Sequence, residues 1–278
     1  VRLRRLLGSL LPLALAPVAL TALGPAALAG EPAGTEVVAH RGASGDAPEN
    51  TLAAVDEAVA QRADSIEIDV QRSADGHLVV LHDTTLTRTT DVERVFPGRA
   101  LDPVGSFTLA ELRRLDAGSW FGPGFAGQRI PTLDEVVEHI GERAGLLIEL
   151  KEPAAYPGIE AEVAAELGEQ PAGIVVQSFD HDAMRRFAEV APAVPAGWLF
   201  EARPSTAELD DAAATGVEQI NPSFRGTDAG LVEAIRSRGM QTGVYTVDDE
   251  ADMRRMLDAG VDRIITDHPG VLRDVLDG

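Results

Sequence analysis

The stretch Ser65-Ile66-Glu67-Ile68-Asp69-Val70-Gln71-Arg72-Ser73-Ala74-Asp75-Gly76-His77-Leu78-Val79-Val80-Leu81-His82-Asp83 decides the architecture of this chain. Two apolar runs, Ser65–Val70 and Leu78–Leu81, flank the turn pair Asp75-Gly76. A parallel neighbour needs a crossover of roughly a dozen residues or more, so this short link can only bring the chain back as an antiparallel hairpin. Further short apolar runs lie at Val37–Ala39, Leu146–Leu150, Ile174–Gln177, Ala196–Phe200, Glu218–Asn221, Thr242–Thr246 and Arg263–Thr266. Amphipathic stretches that open on Ser, Thr, Asn or Asp separate most of them, and Gly216, Gly239 and Gly260 close three of these stretches. Setting the hairpin's return arm aside leaves eight strands of the nine, most of them followed by a helix candidate. The sequence therefore predicts an α/β fold, a closed (β/α)8 barrel with a hairpin and a long insertion after the second strand. A doubly wound open sheet is the competing arrangement, but no Gly-x-Gly-x-x-Gly turn follows any strand. Residues 84–130 form the insertion, with one short helix candidate at Leu109–Leu115 and an aromatic group, Trp120, Phe121 and Phe125, for which packing of the loop onto the barrel is the first reading and substrate contact the second. A loop of that length in a compact domain is usually functional.

Composition narrows the function. The chain has 278 residues, no Cys, and 24 Lys+Arg against 45 Asp+Glu, a net charge of −21. The absence of Cys excludes a disulfide scaffold, a thiolate metal site and a cysteine nucleophile. The negative charge argues against a grip on nucleic acid or on an anionic membrane. Residues 1–29 differ from the rest. Arg2, Arg4 and Arg5 precede an uncharged run from Leu6 to Leu28, and Ala27-Leu28-Ala29 is a small-x-small cleavage site. This is the layout of a secretory signal peptide. Pro12, Pro17 and Pro25 interrupt the run and disfavour a permanent membrane anchor. The expectation is an exported protein, cleaved after Ala29, with residues 30–36 as a linker, residues 37–278 as the barrel domain and no stable membrane insertion after cleavage.

In such barrels the chemistry gathers where strands end. The ends here carry His40-Arg41-Gly42, Glu67 and Asp69, His82-Asp83, Glu149 and Lys151, Gln177-Ser178-Phe179 and Thr266-Asp267. Period-two alternation puts Glu67 with Asp69, and Glu149 with Lys151, on common faces. Facing inward, three carboxylates, two imidazoles and two cations would meet in one small volume. Carboxylates that close raise one another's pKa unless a cation neutralises them, and oxygen ligands without thiolate suit Mg²⁺ or Ca²⁺ rather than Zn²⁺. Arg41 and Lys151 then need an anion, and a phosphate fits both them and the metal. Two histidines from separate elements could serve its attacking and leaving oxygens. Together these residues describe metal-assisted phosphodiester cleavage, with Asp83 and Asp267 bracing their neighbours.

With those residues in view, the chain resembles the glycerophosphodiester phosphodiesterases. The resemblance runs from Val37 to Asp267. Its motifs are Ala39-His40-Arg41-Gly42, Pro48-Glu49-Asn50-Thr51, Ile66-Glu67-Ile68-Asp69-Val70, Asp75-Gly76, His82-Asp83, Leu86-Thr87-Arg88-Thr89-Thr90, Ile130-Pro131-Thr132-Leu133, Glu149-Leu150-Lys151, Gln177-Ser178-Phe179, Val244-Tyr245-Thr246-Val247 and Ile265-Thr266-Asp267-His268-Pro269. It implies a TIM barrel that hydrolyses glycerophosphodiesters, small-molecule substrates, to glycerol 3-phosphate and an alcohol. It further implies Glu67, Asp69 and Glu149 as ligands of one divalent cation, Ca²⁺ or Mg²⁺, His40 and His82 as the acid/base pair, Arg41 and Lys151 as phosphate ligands, and the insertion as the wall at the glycerol end. Three positions depart from the family pattern: Tyr245 where Trp is common, Asp91 where Gly is common, and Gln128 where an acid is frequent. All three bear on substrate shape, with Tyr245 still an aromatic wall for substrate. A sphingomyelinase-D-like phospholipase on the same scaffold is one alternative, disfavoured by few aromatics and by a charge that anionic lipid repels. An exported binding barrel without activity is the other, disfavoured by the full set of metal and acid/base residues.

Overall fold

The computed structural model describes residues 34–168 and 173–278, which form one compact unit from Gly34 onward. The expected signal peptide and most of the expected linker lie outside the described residues. The strands are β1 (Glu36–Ala39), β2 (Ser65–Arg72), β3 (Leu78–Val80), β4 (Gly145–Leu150), β5 (Ile174–Ser178), β6 (Ala196–Phe200), β7 (Gln219–Pro222), β8 (Gln241–Val244) and β9 (Arg263–Thr266). All but β3 run parallel in a ring that closes where β1 meets both β2 and β9. The barrel and its hairpin are as the sequence predicts. β1 opens one residue early, at Glu36, whose backbone pairs with Arg263 and whose carboxylate accepts from the Arg263 guanidinium and the Ser65 hydroxyl. The insertion's helix is shorter than its apolar pattern and stops at Leu112.

β2 positions the site. Ile66, Ile68 and Val70 face outward into the main core, where they meet Val55, Val136, Ile148 and Val163. Glu67 and Asp69 therefore face the barrel interior, consistent with strand alternation. One edge of β2 pairs with β4 from Ser65 to Val70. The other edge is shared: Ser65 and Ile66 meet β1, whereas Val70, Gln71 and Arg72 meet β3. Residues 67 and 68 on that edge thus have no neighbouring strand, Asp69 meets the hairpin only through the Leu81 N–H on its carbonyl (2.9 Å), and the loop after β1 enters there. The insertion has a core of its own, built on Val79, Leu86, Val104, Phe107 and Leu115. Gln71 fastens the hairpin by donating to the carbonyls of Leu81 (2.7 Å) and Asp83 (2.8 Å) while accepting from the Tyr156 hydroxyl (3.0 Å).

Helix capping follows the sequence signals. Thr51, Ser205, Asp180, Asp228 and Asp249 each accept a backbone N–H in the first turn of their helix. No helix among the described residues is long and apolar enough to cross a membrane.

Candidate active site

Parallel register puts Asp69 of β2 directly beside Glu149 of β4, with Glu67 two residues below on the same face. One carboxylate oxygen from each of the three can be chosen so that all lie within 4.8 Å of one another. All three side chains are buried. Burial and the Asp69 charge push the Glu67 carboxyl up to about 8 and the Glu149 carboxyl to about 7. Burial opposes ionisation of Asp69 too, but Arg41 and Lys151 outweigh it and hold that carboxyl low. Asp69 Oδ1 has no hydrogen-bond partner among the described residues, although only 1 % of the residue is exposed. A buried, ionised, half-satisfied carboxylate between two others is a donor set short of a cation. Oxygen-only ligands fit a hard divalent ion.

The two expected cations lie against these acids. Lys151 Nζ donates to Glu149 Oε1 at 2.7 Å and sits 3.8 Å from Asp69 Oδ1. Arg41 Nε is 3.3 Å from Asp69 Oδ2 and lacks a hydrogen-bond acceptor among the described residues. The Arg41 backbone N–H contributes as well, donating to Glu67 Oε2 at 2.9 Å. That contact requires the chain to turn sharply after β1, and Arg41 and Gly42 both take positive φ, 55° and 83°. At Gly42 a Cβ would come within 2.6 Å of the Ala54 backbone, so helix Leu52–Ala60 can approach the turn only because the residue is glycine.

Each histidine is held at one ring nitrogen by a carboxylate. His40 Nδ1 is 2.6 Å from Asp267 Oδ1, which also accepts from the Ser44 hydroxyl at 2.9 Å. His82 Nδ1 is 2.8 Å from Asp83 Oδ1. With Nδ1–H donating to the carboxylate, Nε2 of each neutral ring is the free acceptor. Burial disfavours the charged ring in both. The Asp267 contact and the Glu67 charge overcome it at His40, whose pKa is raised, whereas His82 is left below the usual histidine range.

A small cavity beside the acids is lined by His40, Glu67, Glu149, Gln177, Phe179 and Tyr245, among others. Phe179 and Tyr245 meet edge to face, with centroids 5.9 Å apart. The Tyr245 hydroxyl donates to the Phe200 carbonyl at 2.8 Å, so this position offers the cavity its ring rather than its hydroxyl.

Three residues outside the expected set belong to the site. Asn50, buried and at φ 58°, donates to Asp69 Oδ2 (2.8 Å) and accepts the Asp69 N–H (3.2 Å), occupying the free edge of β2. Glu49 accepts from Arg41 Nη1 at 3.0 Å. Arg88 donates to both Glu49 and Asp83. The signal for them was the motifs Pro48-Glu49-Asn50-Thr51 and Leu86-Thr87-Arg88-Thr89-Thr90, in which Asn50-Thr51 also reads as a helix start. Two further departures from the family pattern lie in the insertion. Asp91 Oδ1 accepts the Asp116 N–H at 2.9 Å, a tie across the interior of that segment. Gln128 is fixed there through its backbone, which donates to the Phe125 carbonyl at 3.2 Å.

The chain has relatives among known proteins. A glycerophosphodiester phosphodiesterase of Bacillus subtilis is 36 % identical over 261 residues, covering 87 % of this chain and 86 % of its own length. One from Caldanaerobacter subterraneus subsp. tengcongensis is 41 % identical over 242 residues, covering 86 % of this chain and 96 % of its own. Among solved structures, a phosphodiesterase of Oleispira antarctica in complex with the product sn-glycerol-3-phosphate superposes with a TM-score of 0.80 at 31 % identity, covering 87 % of this chain and 97 % of the other. The sequence model of the Glycerophosphoryl diester phosphodiesterase family matches residues 40–271, from the first histidine of the site to the last helix, and the chain is a member of that family.

Proposed function

We propose that this enzyme hydrolyses glycerophosphodiesters to glycerol 3-phosphate and an alcohol, with one divalent cation, Ca²⁺ or Mg²⁺, held by Glu67, Asp69 and Glu149. The observation that carries this reading is the set of three buried carboxylate oxygens within 4.8 Å of one another. Beside them lie two histidines whose Nδ1 atoms are already engaged by carboxylates. When bound, the cation offsets carboxylate repulsion and draws electron density from a phosphoryl oxygen.

The remaining work falls to the chain's own side chains. Arg41 Nε, without an acceptor of its own among the described residues, and Lys151 bind the diester's anionic oxygens. One of His40 and His82 takes the proton of the attacking oxygen at Nε2 as that oxygen bonds to phosphorus. The other gives a proton to the departing alcohol oxygen as its bond to phosphorus breaks. Whether water or the substrate's own glycerol hydroxyl attacks first, the same groups suffice. The Phe179–Tyr245 pair walls the cavity and restricts the shape of what enters. Residues 1–29 direct export and are removed, so protein recovered outside the cytoplasm begins at Gly30 by N-terminal sequencing; an intact leader there would contradict this.

Role assignment is tested by separating metal binding from turnover. Glu67→Gln should weaken cation binding in calorimetry and cut turnover together. His82→Ala should cut turnover about 10²-fold or more while leaving cation affinity within a few-fold. Loss of cation binding in His82→Ala would overturn the assignment.

A further inference from the structure

Arg88 lies in the insertion, outside the barrel strands, yet its guanidinium spends four of its five N–H donors on the site's supporting carboxylates. Nε and Nη2 donate to Asp83 at 2.6 and 2.9 Å, and Nη1 and Nη2 donate to Glu49 at 2.6 and 2.7 Å. Both contacts are bidentate, the geometry in which Arg–carboxylate pairs are strongest and most directional. The two acids belong to different loops. Asp83 fixes the His82 ring, and Glu49 accepts from Arg41 at the same oxygen, Oε1, that Arg88 Nη2 holds.

The geometry assigns Arg88 as a positioning residue that holds His82 and Arg41 in one register across the mouth of the barrel. The inference rests on the reaction proposed above. Without Arg88, Asp83 keeps His82 but is free to turn about its own side chain, and Glu49 is left to Arg41 alone. Glu49 would then draw the Arg41 guanidinium toward itself and away from Asp69 Oδ2, which lies 3.3 Å from Nε. Arg88 thus acts twice, by steadying a proton-transfer ring and by sharing a carboxylate that would otherwise compete with the phosphate for Arg41. The other histidine has a different arrangement: among the described residues, Asp267 is supported at its side chain by the Ser44 hydroxyl and by no arginine. The insertion is therefore wired to the His82 imidazole.

The test compares full-length wild type with Arg88→Gln, Arg88→Lys, Glu49→Gln and the double variant Glu49→Gln/Arg88→Gln. The readouts are kcat, KM and melting temperature with glycerophosphocholine, and ring-nitrogen NMR of His82 in protein without substrate. Arg88 is partly exposed, so folding should survive its replacement. Arg88→Gln should lower kcat roughly 10- to 100-fold and raise KM several-fold with a melting temperature near wild type. Arg88→Lys, which keeps the charge but not the fork, should recover only part of that loss. The double variant should lose less than the product of the single losses. In Arg88→Gln the His82 Nδ1–H resonance should broaden or exchange faster. Wild-type kinetics in Arg88→Gln, full rescue by lysine, or an unchanged His82 signal would each overturn the inference. An inactive wild type would instead refute the proposed reaction, and the NMR readout would still decide the role of Arg88.

Discussion

Replacing Asn50 tests how the site is built, because this side chain does what a strand does elsewhere in the barrel. It accepts the buried Asp69 N–H at 3.2 Å and donates to Asp69 Oδ2 at 2.8 Å. Its φ of 58° is a value that Asn tolerates better than Ala. In Asn50→Ala the orphaned N–H costs about 1–3 kcal/mol, the lost bond to a charged acceptor about 1.5–3, and the left-handed backbone about 1. These terms share one residue and do not add fully, so the expected loss is about 3–5 kcal/mol. For a domain of this size that lowers the melting temperature by about 10 °C, measurable by calorimetry. Asn50→Gly loses the same two hydrogen bonds without the left-handed strain that Ala suffers, and should recover about 1 kcal/mol of the loss. Freed from its donor, the Asp69 carboxylate should also bind cation about tenfold more weakly. An Asn50→Ala protein melting within 1–2 °C of wild type, with unchanged cation affinity, would refute the idea that this side chain substitutes for a strand.

Three other perturbations have defined outcomes. Gly42→Ala places a Cβ within 2.6 Å of the Ala54 backbone at a positive φ. It should cost about 2–4 kcal/mol in urea unfolding, and a neutral result would show that the turn and helix Leu52–Ala60 can part freely. The carboxyls of Glu67 and Glu149 stand at about 8 and about 7, above their unfolded value of 4.5. Chelated protein therefore binds more protons folded than unfolded, and the contribution of these two groups to stability falls as pH rises through that window. The melting-temperature gain from saturating Ca²⁺ or Mg²⁺ should accordingly be larger at pH 8 than at pH 6, and a gain independent of pH would contradict proton–cation competition at these ligands. Tyr245→Phe loses a hydroxyl committed to the Phe200 carbonyl. It should cost about 1 kcal/mol in stability and change kcat/KM less than threefold; a tenfold fall would mean that the hydroxyl reaches substrate.

Most of the fold was legible because it rests on local rules. The Asp75-Gly76 turn forces the hairpin, Gly216, Gly239 and Gly260 end helices at φ of 77°, 79° and 79°, and the Ser, Thr and Asp caps mark where most helices begin. The carboxylate cluster was legible because strand alternation puts Glu67 and Asp69 on one face whatever the register. Their juxtaposition with Glu149 needed only that the second and third barrel strands be parallel neighbours. The supporting residues were not legible in that way. Asn50 matters because β1 stops at Ala39 while the hairpin arm reaches Asp69 only at its carbonyl, through the Leu81 N–H, and leaves the Asp69 N–H open, a gap created by two strand lengths that local propensity does not specify. Arg88 meets Glu49 across 39 residues through the packing of an insertion with its own core, and sequence spacing alone carries no trace of that contact. Tyr245 was legible as a wall, but the direction of its hydroxyl depends on where β6 ends.

Every role assigned to the site depends on cation-dependent cleavage of a glycerophosphodiester. The most direct measurement is release of glycerol 3-phosphate from glycerophosphocholine by the purified protein, with chelator, Ca²⁺ or Mg²⁺ in parallel and Glu149→Gln beside wild type. Wild type should release it with one of the two ions and not with chelator, and the variant should lose two orders of magnitude or more. Release that persists in chelator, or a Glu149→Gln protein as active as wild type, would contradict these assignments.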